Sequence, residues 1–218
     1  MKALLFGASG MVGQGLLREC LLDPGVEAVL SVGRQPQGTS DPKLREVVHA
    51  DLLDLGPIEG ELVGWDACFY SLGVSAVGVT EAEYRRVTHD FALSVARTLV
   101  RLNPGMTFVF VSGAGTDSGG RAMWARVKGE TENDLLALPF KAAYMFRPGL
   151  IQPLHGIRSR TRAYRIIYAV LGPFMPALLR AFPRQVTTTE QLARAMIRVA
   201  LEGAPRPILE SGDINRFP

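Results

Sequence analysis

The chain opens Met1-Lys-Ala-Leu-Leu-Phe-Gly7-Ala-Ser9-Gly10-Met11-Val12-Gly13. An apolar run, residues 3–6, leads directly into three glycines spaced three apart. The pattern predicts a buried strand, a tight turn and the start of a helix. Such a turn gathers unpaired backbone N–H groups and the positive end of a helix dipole at one point, which makes a seat for a pyrophosphate. Gly7 is expected to permit the turn, Gly10 to let the backbone touch phosphate oxygens, and Gly13 to let the helix pack closely. The apolar run is too short and too broken by glycine for a secretory signal, and no small-residue cleavage site follows it.

Outward from this turn, apolar runs alternate with helical patterns. Strands are expected at 3–6, 26–32, 45–49, 65–70, 107–111 and 140–146, with an edge strand at 207–209. Helices are expected at 11–22, 81–101, 122–138 and 189–201, the last capped by the threonines before it. Asp23-Pro24-Gly25 and Asn103-Pro104-Gly105 mark two stops. Strands that are apolar on both faces and separated by helices predict an α/β fold with a doubly wound parallel sheet (a Rossmann fold), its ligand crevice at the carboxyl ends of the strands. At 218 residues and 47% hydrophobic, the chain can bury a sizeable core as a single domain spanning 1–218. Residues 153–186 break the rhythm and are expected to form a helical lid on the substrate side. The same stretch is too short and too interrupted by proline and arginine to span a bilayer; a peripheral membrane contact, resting on arginines beside an apolar stretch, is the alternative reading.

The net charge is only +3, yet residues 135–189 hold no acid while Arg147, Arg158, Arg160, Arg162, Arg165, Arg180 and Arg184 fall there. That run predicts either a local positive field for a phosphate-bearing ligand or a solvated basic face. The basic residues are not interleaved with aromatics as in a nucleic-acid module, so nucleic acid is not an expected partner. Cys20 and Cys68 lie in apolar runs without metal-ligand spacing. They are expected as reduced, buried thiols in a cytoplasmic protein with no metal.

Several residues at strand ends could serve a dinucleotide. Ser31-Val32-Gly33-Arg34 ends the second strand with a guanidinium where an acid would bind a ribose hydroxyl, which favours NADP over NAD. Asp51, after the third strand, can accept from an adenine amino group or cap its own turn. Tyr70-Ser71-Leu72-Gly73 offers small residues beneath a flat cofactor. Ser112, after the fifth strand, can donate to a substrate oxygen, but it lacks a nucleophile elbow, so a serine hydrolase is not expected. Trp124 and Lys128 lie four apart on one helix face, where a lysine could bond a nicotinamide ribose.

Taken in order, Gly7-x-x-Gly10-x-x-Gly13, Gly33-Arg34, Asp51-Leu52, Ser71-Leu72-Gly73, Val111-Ser112, Val127-Lys128-Gly129-Glu130, Phe146-Arg147-Pro148-Gly149 and Leu209-Glu210 resemble the short-chain dehydrogenase/reductase superfamily. Within it they are most similar to the atypical, extended-like branch that contains the Tat-interacting, oxidoreductase-like proteins. The resemblance spans nearly the whole chain. It implies a bound nicotinamide cofactor contacted by Gly7, Ser9, Gly10, Met11, Val12, Arg34, Asp51, Leu52, Ser71, Leu72, Gly73, Lys128, Arg147, Pro148 and Gly149. The last three would lie beside the nicotinamide, and Ser112 and Lys128 would remain of the catalytic set. One departure stands out: the acid/base tyrosine of the superfamily's Tyr-x-x-x-Lys pair is replaced by Trp124. An indole N–H is no general acid or base at neutral pH. Two readings follow: an NADP(H)-dependent oxidoreductase-like or epimerase-like enzyme with another proton source, or a non-catalytic NADPH-binding protein that reports redox state or binds a partner.

Overall fold

The computed structural model describes residues 1–157, 182 and 184–217. Seven strands form one parallel sheet: β1 (Lys2–Phe6), β2 (Ala28–Gly33), β3 (Leu44–Val48), β4 (Ala67–Tyr70), β5 (Thr107–Val111), β6 (Ala142–Arg147) and β9 (Ile208–Glu210), in the order β3-β2-β1-β4-β5-β6-β9. Two short strands, β7 (Leu150–Gln152) and β8 (Val186–Thr188), pair with each other alone. The helices are α1 (Met11–Leu22), α2 (Glu81–Arg85), α3 (Phe91–Leu102), α4 (Met123–Leu136), α5 (Thr189–Glu202) and α6 (Ser211–Ile214).

The alternation along each strand divides the core in two. Ala3, Leu5, Val29, Phe69, Val109 and Phe146 face α1 and α5, in one cluster with Leu16, Cys20, Leu192 and Met196. Leu4, Phe6, Leu30, Cys68, Tyr70, Phe108 and Phe110 face the other way, with Leu93, Ala96 and Leu99 of α3 and Leu135 of α4. Both faces are therefore covered, as an all-parallel sheet requires. Cys20 and Cys68 are buried and unbonded, and burial pushes both thiols upward, so neither is a ready thiolate.

The strand expected at 26–32 starts two residues later because Val26 belongs to a turn, its N–H donating to Asp23 O at 3.2 Å. The helix expected over 81–101 is interrupted by one wide turn, Arg86–Asp90, closed by Phe91 N donating to Arg86 O. The 140–146 strand and the 122–138 helix each differ at their ends by a residue or two. The β7–β8 pair was not anticipated; Val186-Thr-Thr reads in the sequence as helix-capping residues only. Most of the expected lid, including Arg158, Arg160, Arg162, Arg165 and Arg180 and the apolar stretch behind the membrane reading, lies outside the described residues. Among the described residues, no helix is long and apolar enough to cross a membrane.

β1 and β4 are neighbours, but the chain leaves them toward opposite faces: α1 joins one core cluster and α3 the other. This divergence opens a crevice at the carboxyl ends of the two strands, where doubly wound sheets bind ligands.

Candidate dinucleotide crevice

The glycine turn fills one side of this crevice. Gly7 has φ +93, and a Cβ there would lie 2.6 Å from Leu72 N. Gly10 N donates to Gly7 O at 2.9 Å, and Gln14 N to Gly10 O at 2.8 Å, so the helix ladder begins only at Gln14. A Cβ on Gly13 would lie 2.0 Å from Gly7 O, whereas one on Gly10 would meet nothing nearer than that same oxygen at 3.4 Å. Among the described residues, the N–H groups of Met11, Val12 and Gly13 have no acceptor. No side chain caps Gly10, and the first turn carries no acid. An α-helix whose leading N–H groups and dipole are left unanswered beside open backbone is the donor set a pyrophosphate requires.

The floor is set by β4. Ser71 N and Oγ both donate to Phe6 O, at 2.9 and 3.2 Å, which ties the strand end to β1. Leu72 backbone lies against Gly7, and Gly73 has open space where a Cβ would stand.

At the β2 end, Arg34 is exposed and makes no ion pair among the described residues. The loop after it is anchored by Glu46 of β3, which accepts from Gln37 N at 2.7 Å, a contact between residues that no sequence pattern links. Asp51 caps its own turn, Oδ1 accepting from Leu53 N at 3.0 Å. His49 Nε2 donates to the carbonyls of Asp51 and Asp54, both at 2.7 Å, so that nitrogen carries a proton. The Leu52 side chain is buried in the core with Leu55 and Ile58.

The far end carries the candidate chemistry. Ser112 N donates to Phe146 O at 2.7 Å, and its hydroxyl lies 3.0 Å from Thr116 Oγ1. Thr116 in turn donates to Gly113 O at 2.8 Å. Thr116 has one hydroxyl hydrogen and spends it on that carbonyl, so Ser112 is the donor of the pair. Lys128 is partly buried, its Nζ 3.4 Å from Val111 O and 5.7 Å above the Phe110 ring. Removal from water lowers its pKa to about 8, against the opposing pull of Glu132 one turn along. Trp124 lies one turn before it, its Cη2 3.5 Å from where a Gly115 Cβ would be.

The described tyrosines lie in other parts of the structure. Tyr70 is fully buried among Phe6, Phe108 and Phe110, its hydroxyl without a partner and its pKa pushed up by burial. Tyr84 is 2% exposed. Tyr144 hydroxyl accepts from Ala204 N at 3.1 Å.

Arg147 does not supply the free positive charge that the sequence run implied. Its Nε bonds both oxygens of Glu132, at 3.0 and 3.1 Å, and its Nη1 lies 3.4 Å from Glu210. Glu132 is 1% exposed, and this pairing holds the guanidinium charged. The acids missing from residues 135–189 thus arrive from α4 and β9. Arg184, the other described arginine of that run, lines a cavity of about 450 Å³ with Arg206, Glu210, Asp213 and Arg216, two acids among three arginines. Pro148 O accepts from Ala114 N at 3.0 Å. Gly149 N donates to Ser211 Oγ at 2.7 Å, and a Cβ on Gly149 would strike Gln185 O at 2.3 Å. Thr116 and Glu132 are site residues the sequence reading missed, and Glu210 figured there only as a marker of the resemblance.

No family model matches the chain. Protein FMP52-2, mitochondrial, of Scheffersomyces stipitis is 29% identical over 220 residues, covering 96% of this chain and 89% of that protein. Protein FMP52, mitochondrial, of Saccharomyces cerevisiae is 30% identical over 166 residues, covering 74% of this chain and 69% of that one. Among solved structures, dTDP-glucose 4,6-dehydratase of Streptomyces venezuelae with NAD and TYD bound matches with a TM-score of 0.71 at 17% identity, covering 96% of this chain and 74% of that one. A short-chain dehydrogenase/reductase of Saccharomyces cerevisiae matches with a TM-score of 0.69 at 15% identity, covering 99% and 98%. The fold is the Rossmann fold of the short-chain dehydrogenases/reductases, as the sequence resemblance implied. The cytoplasmic expectation is corrected: the curated relatives are named mitochondrial, which points to that compartment instead. Reduced thiols separate an oxidising compartment from a reducing one and resolve nothing finer.

Proposed function

The chain belongs to the FMP52 family, and on that premise we propose that it is an NADP(H)-binding, oxidoreductase-like protein whose single domain holds the dinucleotide across the β1–β4 crevice. The observation that carries this reading is the uncapped start of α1, with three N–H groups lacking acceptors among the described residues where the two strands diverge. Gly7, Ser9, Gly10, Met11 and Val12 would hold the diphosphate. Arg34 would take the 2′-phosphate, for which an exposed guanidinium with no carboxylate partner is suited. Asp51 would border the adenine, Leu52 only through its backbone since its side chain is buried in the core, and Ser71, Leu72 and Gly73 would pass beneath the cofactor. Lys128 and the Arg147-Pro148-Gly149 turn would border the nicotinamide half, Arg147 through its backbone, since its guanidinium is engaged by Glu132 and Glu210. A nicotinamide cofactor supplies hydride exchange when bound; the chain's own residues orient it and handle the proton.

Titration of the wild type and Arg34→Ala with NADPH and NADH tests the assignment. Arg34→Ala is expected to weaken NADPH at least about tenfold, corresponding to about 1.5–3 kcal/mol for hydrogen bonds to a charged group, while NADH affinity stays within about twofold. Equal losses for the two cofactors would remove Arg34 from the 2′-phosphate. Trp124 in the tyrosine's place favours a second reading, in which the protein binds NADPH without turning it over.

A further inference from the structure

We propose that Lys128 is itself the proton donor of this site, a catalytic lysine that protonates the carbonyl oxygen of an aldehyde or ketone substrate. The proposal rests on the cofactor reading above and names the proton source that the reading lacks.

Elimination among the described donors near the crevice leads to this residue. Ser71 directs its hydroxyl to Phe6 O. Ser112 gives its hydrogen to Thr116, and Thr116 gives its own to Gly113 O. Trp124 offers an N–H that does not ionise near neutral pH. Tyr70 and Tyr84 belong to the interior, and Tyr144 bonds the start of the loop after α5. The Arg147 guanidinium is held by two carboxylates. Lys128 has three N–H hydrogens, one long bond to Val111 O, and no ion pair among the described residues.

The charged groups around α4 leave it in that state. Glu130 pairs with Arg85, Arg126 with Glu81, and Asp134 with His89. Glu132, the acid nearest in register, is engaged by Arg147 of β6, which also reaches Glu210 of β9. The amine sits over the Phe110 ring, partly withdrawn from water, and burial outweighs Glu132 in setting its acidity. A donor is most effective when its pKa lies near the working pH.

The step balances simply. The carbonyl carbon gains hydride from the reduced cofactor, the carbonyl oxygen gains a proton from the Lys128 ammonium, and the product is an alcohol. Lys128 is left as a neutral amine and regains its proton from water.

Lys128→Arg keeps a cation with several N–H donors but cannot release a proton, because an arginine stays charged throughout the accessible range. Four measurements on the full chain test the proposal. In cofactor-free protein, the pH dependence of acetylation at Lys128, followed by peptide mass spectrometry, should show half-titration near pH 8. NADPH affinity of Lys128→Arg is measured beside activity, so that a loss in kcat at saturating NADPH is assigned to proton transfer and not to weakened cofactor binding. NADPH-dependent reduction of an aldehyde and ketone panel that includes phenanthrenequinone should lose about 100-fold in kcat on that substitution. Wild-type kcat/KM should be flat at neutral pH and fall about tenfold per unit above pH 8, because the protonated lysine of the free enzyme is the acid. Titration of Lys128 near pH 10, an active Lys128→Arg, or wild type that binds NADPH yet reduces nothing on the panel would each overturn the proposal. Absence of NADPH binding by wild type would instead overturn the cofactor reading beneath it.

Discussion

Gly10 and Gly13 are the same residue type three positions apart, and the structure separates their roles. A methyl on Gly13 would stand 2.0 Å from Gly7 O, a backbone atom that cannot move alone. A methyl on Gly10 would meet only an oxygen at 3.4 Å and would otherwise project where ligand oxygens are proposed to sit. Gly13→Ala is therefore expected to cost about 3 kcal/mol of stability, as overpacking does. Gly10→Ala should cost about 1 kcal/mol, the price of alanine at an N-cap, and should still abolish NADPH binding. Thermal unfolding beside a cofactor titration separates the two; equal stability losses would mean that the turn is held differently. The spacing of the glycines was readable in the sequence because the turn is local. Whether Ser112 has a free hydrogen was not, because that depends on Thr116 folding back over the same loop. Arg34 could be read for its charge but not for its lack of an ion-pair partner among the described residues.

At the scale of elements, the carboxyl end of the sheet is tied across three of them by Glu132 on α4, Arg147 on β6 and Glu210 on β9. Glu132 is buried, while Glu210 has a side chain 49% exposed. Removing Glu132 leaves Arg147 with only its solvent-facing partner. Glu132→Ala is expected to cost about 3 kcal/mol, the usual range for breaking a buried pair. Glu130→Ala, on the same helix and paired with Arg85 at a third exposure, should cost under about 1 kcal/mol. Denaturant unfolding of both variants checks this; similar losses would mean that the buried tie carries no special weight. Residues 132, 147 and 210 are far apart in sequence, and no periodicity links them. The wide turn at Arg86–Asp90 was equally hidden, since no proline or glycine interrupts that helical pattern.

Across the whole molecule, the alternation of apolar strands with helices was legible because each strand is buried on both faces and each helix presents one apolar side. That pattern leads to the sheet and to a crevice at its carboxyl end. The pairing of β7 with β8 was not legible, being three residues each and separated by a long stretch of chain. The arginine-rich run misled in one respect: charge counted along the chain ignores the acids that folding brings from elsewhere, and Arg147 meets two of them.

The first turn of α1 presents N–H groups and a dipole end suited to hold an anion, and calorimetric titration of the purified chain with NADPH probes that claim directly. One equivalent should bind with micromolar or tighter affinity and raise the unfolding temperature by the ligand-linked stabilisation. No heat and no thermal shift up to millimolar NADPH or NADH would contradict it.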